Sequence, residues 1–120
     1  MAMEDSIFKT IKKLRGAPND PLYTNFDEDL YDAINTCFFN LFQLGVGPSE
    51  CFQITDDTKT WDDFTGGNPR LNPVKTYIDD RTRLIFDPPQ SNILKDILEK
   101  RIAELEWRLK VDSEDMKKGD

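Results

Sequence analysis

The chain has 120 residues, 23 acidic and 16 basic, a net charge of −7 and no histidine. That length supports one domain with a modest core. The charge provides no overall attraction to nucleic acid or anionic membranes, and the lack of histidine removes the commonest general base and metal ligand.

A first helix is expected over about 6–14, capped by Asp5 or Ser6 and stopped at Gly16. Ile7, Ile11 and Leu14 make its apolar stripe, with Lys9, Lys12 and Lys13 on the opposite side. Residues 17–24, with Pro18 and Pro21, read as a loop. A second helix follows over about 26–44, where Asn25 to Glu28 has the spacing of a capping box. Its stripe is Leu30, Ile34, Cys37, Leu41 and Leu44, widened by Phe38, and Gly45-Val46-Gly47-Pro48 ends it.

Residues 49–70 form a long excursion. Phe52 and Ile54 alternate with polar residues, as in a short strand or hairpin, and Trp61 and Phe64 are spaced for one helical turn. A connection this long is usually functional or held by a neighbour. Asn72-Pro73 opens a third helix over about 73–86, with Val74, Ile78 and Ile85 as its stripe, flanked by Tyr77 and Leu84. Asp87-Pro88-Pro89 stops it. A fourth helix over about 92–111 carries Leu94, Ile97, Leu98, Ile102, Leu105 and Leu109 as its core stripe. The fold class is therefore all-α: a single helical domain over 1–111, followed by a polar, disordered tail at 112–120.

No nucleophile, phosphate loop, cofactor motif or metal-ligand cluster can be assembled from these residues, which argues against an enzyme. The acidic pairs Asp56-Asp57, Asp62-Asp63 and Asp79-Asp80 read as solvated surface. Cys37 and Cys51 read as free thiols of a reducing cytosol, and no apolar run is long enough to span a membrane. The notable residues are the ones that fit a monomer badly. Trp107 lies about 170° round its helix from the core stripe, beside Ile93 and Ala103. Phe39 stands opposite the stripe of the second helix, and Arg81 falls inside that of the third. Such a guanidinium must snorkel or pair with a carboxylate. Trp107, Phe39, Ile93, Ala103 and Arg81 are expected at a subunit interface, since buried aromatics anchor interfaces.

The run Leu44-Gly-Val-Gly-Pro48, Trp61-x-x-Phe64, Val74-Lys-Thr-Tyr-Ile78, Arg83-Leu-Ile-Phe-Asp-Pro-Pro89 and Glu104-Leu-Glu-Trp-Arg-Leu109 resembles the head–tail connector proteins of tailed bacteriophages, also called adaptor or head-completion proteins. The similarity covers about Ile7 to Val111, with Asp79-Asp80-Arg81 standing where the family pattern has apolar or aromatic residues. The resemblance implies a mostly helical structural virion protein at the neck, assembled in the host cytoplasm as a dodecameric homo-oligomeric ring beneath the portal protein. That ring extends the channel, passes genomic DNA without sequence-specific binding, and offers a surface to the downstream neck or tail-completion protein. Lys9, Lys12 and Lys13 are the expected contacts with the portal or neck. An alternative reading is a small acidic DNA mimic that inhibits a host factor, although the carboxylates are scattered among Lys and Arg rather than aligned on one face.

Overall fold

The computed structural model describes residues 6–15 and 27–118, with side chains through residue 115. The expected caps at Asp5 and Asn25, the Gly16 stop and the 17–24 loop lie outside the described residues, as do residues 119–120. Five α-helices follow one another: α1 (Ile7–Leu14), α2 (Asp27–Gln43), the short α3 (Trp61–Thr65), α4 (Pro73–Phe86) and α5 (Asn92–Lys118). The all-α expectation holds.

Each boundary has a local cause. Ser6 caps α1, its hydroxyl accepting from the Lys9 amide at 3.2 Å. The α1 stripe is Ile7, Phe8 and Ile11, all buried, whereas Leu14 is exposed. Helix α2 closes with Val46 N–H donating to the Leu41 carbonyl at 2.9 Å and Gly45 N–H to the Phe42 carbonyl at 3.0 Å. That bond pair is the Schellman arrangement, and it needs the left-handed backbone of Gly45 (φ 81°). Thr60 and Asp63 form a reciprocal capping box on α3. Pro73 opens α4, and Ser91 starts α5 after the Pro-Pro hinge.

No strand forms among the described residues beyond a single bridge between Ser6 and Thr60. The expected strand at Phe52–Ile54 is replaced by a side chain acting as backbone. Asn35 of α2 donates to the Ile54 carbonyl at 2.9 Å and accepts from the Ile54 amide at 2.8 Å. Ile54 is thereby buried with its backbone bonded to a side chain and to no strand among the described residues. The rings of Phe38, Phe52 and Phe64 meet at centroid distances of 4.9–5.3 Å. Gly47 passes so close that a Cβ there would lie 2.4 Å from the Phe64 ring. The Ile7 amide and Ser6 hydroxyl bond to the carbonyls of Lys59 and Asp57. The excursion is thus held by its own chain.

Helix α4 is the hub, packing against α1, α2 and α5. Val74, Tyr77 and Ile78 fill the centre, with Ile34, Cys37 and Leu41 from α2 and Leu98, Ile102 and Leu109 from α5 in the same cluster. The stretch after Ile78 is charged, yet it is structural. Arg15 pairs with Asp79, Arg101 grips the buried Asp80 with two bonds of 2.6 and 2.7 Å, and Arg81 reaches Glu106 at 3.3 Å. Tyr77, fully buried, donates to Glu106 at 2.7 Å. The expectation that Asp79-Asp80 is solvated surface is therefore corrected. Burial holds the Asp79 carboxyl above its ordinary range despite Arg15, and the bonds that Arg101 donates to Asp80 hold the guanidinium's pKa above its ordinary value.

Helix α5 also corrects an expected boundary. It continues past Val111 through Lys118. Leu109 and Ser113, one turn apart, are both buried, and Asp112 pairs with Arg70 at 2.8 Å. Residues 112–118 read as a tail because they carry almost no apolar groups, but they extend a helix that is already nucleated and add an ion pair to it.

Two outcomes follow. Arg101→Ala strands a buried carboxylate and should cost about 3 kcal/mol of folding stability. Arg108→Ala removes only an exposed pair with Glu104 and should cost under about 0.5 kcal/mol. Equal urea midpoints for the two variants would count against the structural role of Asp80. The second outcome concerns alkali. Burial pushes the Cys37 thiol up from 9.0 to about 11, and burial plus the bond to Glu106 raises the Tyr77 hydroxyl. Both groups keep their protons longer when folded, so the Cys37 contribution is fully present below pH 9.0 and lost as pH climbs through about 11, while that of Tyr77 begins to be lost only above pH 10.0. Thermal midpoints should fall across that window, and less steeply in Cys37→Ala; a flat profile would contradict it.

Candidate assembly interface

The charged residues that might have carried chemistry are occupied in the fold. Asp63 caps α3, Asp57 lies 3.8 Å from Lys9, and Asp56 accepts from both the hydroxyl and the amide of Thr58, bonds that hold its carboxyl below the ordinary range. Among the described residues no group of three His, Cys, Asp or Glu is placed to hold a metal ion. None of their helices is long and apolar enough to cross a membrane. Cys37 is buried and Cys51 half-buried, and both are free thiols.

What the surface does display is large apolar side chains. Trp107 is 64% exposed, Ile93 73% and Phe39 47%. Ala103 is exposed on the same side of α5 as Trp107. Four further residues join them. Phe42 follows Phe39 by three positions on α2, and Ile85, Leu94 and Ile97, expected in the core, are all more than half exposed. The reason lies in the width of the contact. Helix α5 has α4 as its principal neighbour, and one neighbouring helix covers a narrow seam. Leu98, Ile102, Leu105 and Leu109, at alternating steps of four and three, are that seam. Ile97 falls beside it, and Ile85 and Leu94 lie at the hinge end of the α4–α5 hairpin.

Two shallow concavities accompany these residues. One, of about 420 Å³, lies beside α2 and is lined by Asp32, Asn35, Thr36, Phe39, Cys51 and Gln53. The other, of about 290 Å³, lies between α4 and α5 and is lined by Arg81, Leu84, Ile85, Glu99 and Ile102. Both are open at the surface.

The remaining expected contact residues divide. Arg81 is one-third exposed and turned to its own chain, paired with Glu106 and stacked 5.7 Å from the Tyr77 ring. Lys12 is buried, its ammonium 2.9 Å from Asp27 and 5.8 Å from the Phe8 ring. It ties α1 to α2 and is absent from the exposed lysine face. Lys9 and Lys13 stay on the surface. The exposure of Phe42 had a signal in the sequence, its three-residue spacing from Phe39. That of Leu94 and Ile97 had none, since both obey the helical period.

An all-α chain with buried ion pairs inside the fold and unpartnered apolar faces has the character of an assembly subunit. Comparison with known proteins agrees. No curated protein and no solved structure matches, but the phage connector protein family matches over residues 7–116. The chain belongs to the phage connector protein family, and is accordingly a structural, head–tail connector component of the bacteriophage virion that works by contact with other virion proteins.

Proposed function

We propose that copies of this chain close into a ring beneath the portal protein at the neck, extend the DNA channel, and join head to tail through a downstream neck or tail-completion protein. The observation that carries this is the placement of large apolar side chains on two separate faces, the outer side of α2 and the exposed side of α5, while the core is filled without them. A closed ring needs a heterologous interface, in which two different patches of each subunit meet. Phe39 on one face and Trp107, with Ile93 and Ala103, on the other supply two such patches. Arg81 stands at the edge of the α4–α5 concavity, where an approaching subunit reaches it. The family match supports the connector role itself.

Twelve copies match the symmetry expected of the portal. The net charge of −7 suits a conduit through which DNA slides without sticking. Lys9 and Lys13 offer cations to the portal or to the next neck component, and contacts of this kind weaken as salt screens them.

Trp107→Ala should leave helix content and the melting midpoint nearly unchanged, because the indole is 64% exposed in the single chain. It should cost about 2 kcal/mol per contact in assembly. Because that loss recurs at every interface, rings seen by negative stain with added portal should disappear. An unfolded variant, or undiminished rings, would place Trp107 elsewhere. Replacing Lys9 and Lys13 with Ser should reduce portal docking in a salt-dependent way and spare the fold. Lys12→Ala should instead lower thermal stability, since it strands Asp27. Salt-independent docking that ignores the first pair of changes would remove the lysine face from the account.

A further inference from the structure

We infer that the two faces pair in a specific way: the outer side of α2 in one copy seats on the exposed side of α5 in the next, along the stretch from the hinge end to Trp107. The inference rests on the ring reading and adds which surfaces meet, and through which charges.

Size is the first argument. A stable interface buries about 800 Å² on each partner. An aromatic side chain contributes roughly 150–250 Å², so Phe39 against Trp107 falls well short. The hinge end supplies the remainder. Ile93, Leu94 and Ile97 stand on α5 at helical spacing, each at least 55% exposed, and Ile85 stands at the end of α4. The concavity lined by Arg81, Leu84, Ile85, Glu99 and Ile102 opens beside them. An aromatic ring entering there meets the aliphatic walls of Leu84, Ile85 and Ile102 and the Arg81 guanidinium, which a phenyl face attracts, with Glu99 as the one carboxylate in the lining. Phe39 and Phe42, three residues apart, present two such rings from one side of α2.

Charge is the second argument. Helix α2 carries Asp27, Glu28, Asp29 and Asp32 and no Lys or Arg. Asp27 is taken by Lys12. Glu28 and Asp32 fall within about 20° of Phe39 round the helix, and both are exposed with no ion pair among the described residues. On α5 the complement is present. Lys100 lies within about 60° of Ile97 and about 20° of Ile93, and it too is exposed and unpaired. Arg101, half exposed beyond its grip on Asp80, lies on the other side of Ile97. Two uncompensated carboxylates flanking a pair of aromatics therefore face an uncompensated cation flanking a group of aliphatics. The α2 face carries carboxylates and no cation and so cannot pair with itself, which favours head-to-tail pairing over a two-fold dimer through α2.

The test uses two full-length variants. One blocks the α2 face (F39D with F42D) and the other blocks the α5 face (I93D with I97D); all four residues are exposed, and circular dichroism checks that each variant folds. If either loses helicity, Ser at the same positions carries the same test. By sedimentation each variant alone should be monomeric even where the wild-type chain assembles. A 1:1 mixture should give a heterodimer and nothing larger, because one intact α2 face and one intact α5 face remain. Lys100→Glu should weaken self-association at least tenfold, and adding Asp32→Lys in the same chain should restore it. A mixture that stays monomeric, a variant that assembles alone, or a charge swap without rescue would overturn the pairing while leaving wild-type rings in place. So would a variant that keeps self-association and loses only portal binding, which would assign that face to the portal. A wild-type chain that stays monomeric at every concentration and on added portal would instead sink the ring reading itself.

Discussion

The structure turns on three consecutive charged residues in the middle of its central helix. Successive side chains on an α-helix point about 100° apart. Asp79 therefore reaches Arg15 beside α1, while Asp80 and Arg81 reach Arg101 and Glu106 on α5. Asp80 is 1% exposed, and a lone carboxylate at such a site would be strongly disfavoured. The bidentate grip of Arg101 resolves this, and it sets the register of α5 along α4 as an apolar contact would not, since a fork-shaped pair tolerates little sliding. The Tyr77–Glu106 bond repeats the constraint further along α5.

That constraint explains the surface as well as the core. Because charged bonds and a narrow leucine-isoleucine seam fix α5, its other faces are not needed to hold it. A 27-residue helix, about 40 Å long, stands against a 14-residue one and leaves much of its surface for other uses. In a solitary soluble protein the apolar groups there would be a liability. In the proposed ring they are the means of assembly. Single exposed apolar residues need no function, but the aromatics of α2 and the aliphatics of the hinge end are grouped, and uncompensated charges of opposite sign accompany the two groups. On the proposed reading, stability and assembly fall on different sides of the same helix.

The helices were legible in the sequence wherever a period and a cap coincide. Ser6, the Gly45 turn, Asn72-Pro73 and the Pro-Pro hinge bounded elements that the structure reproduces closely. The turn at Trp61–Phe64 was legible too. Three features were not, each for a physical reason. Asn35 replaces a strand partner for Ile54, and one side chain bonding a distant backbone leaves no periodic trace. Asp79 and Asp80 read as wet because their cations, Arg15 and Arg101, are far along the chain, and local spacing offered only Arg83. Leu94 and Ile97 read as core because period alone marks an apolar face without saying whether a neighbour covers it. Trp107 was legible by the opposite logic, being large, apolar and off the period.

The most direct measurement is a reconstruction, by electron cryomicroscopy, of the portal with this chain bound. The account expects a continuous ring of twelve copies in which Arg101 still grips Asp80 inside each subunit and every inter-subunit contact joins the outer side of α2 to α5. Copies bound singly without touching one another, or a ring in which α5 has left α4 to pack elsewhere, would contradict it.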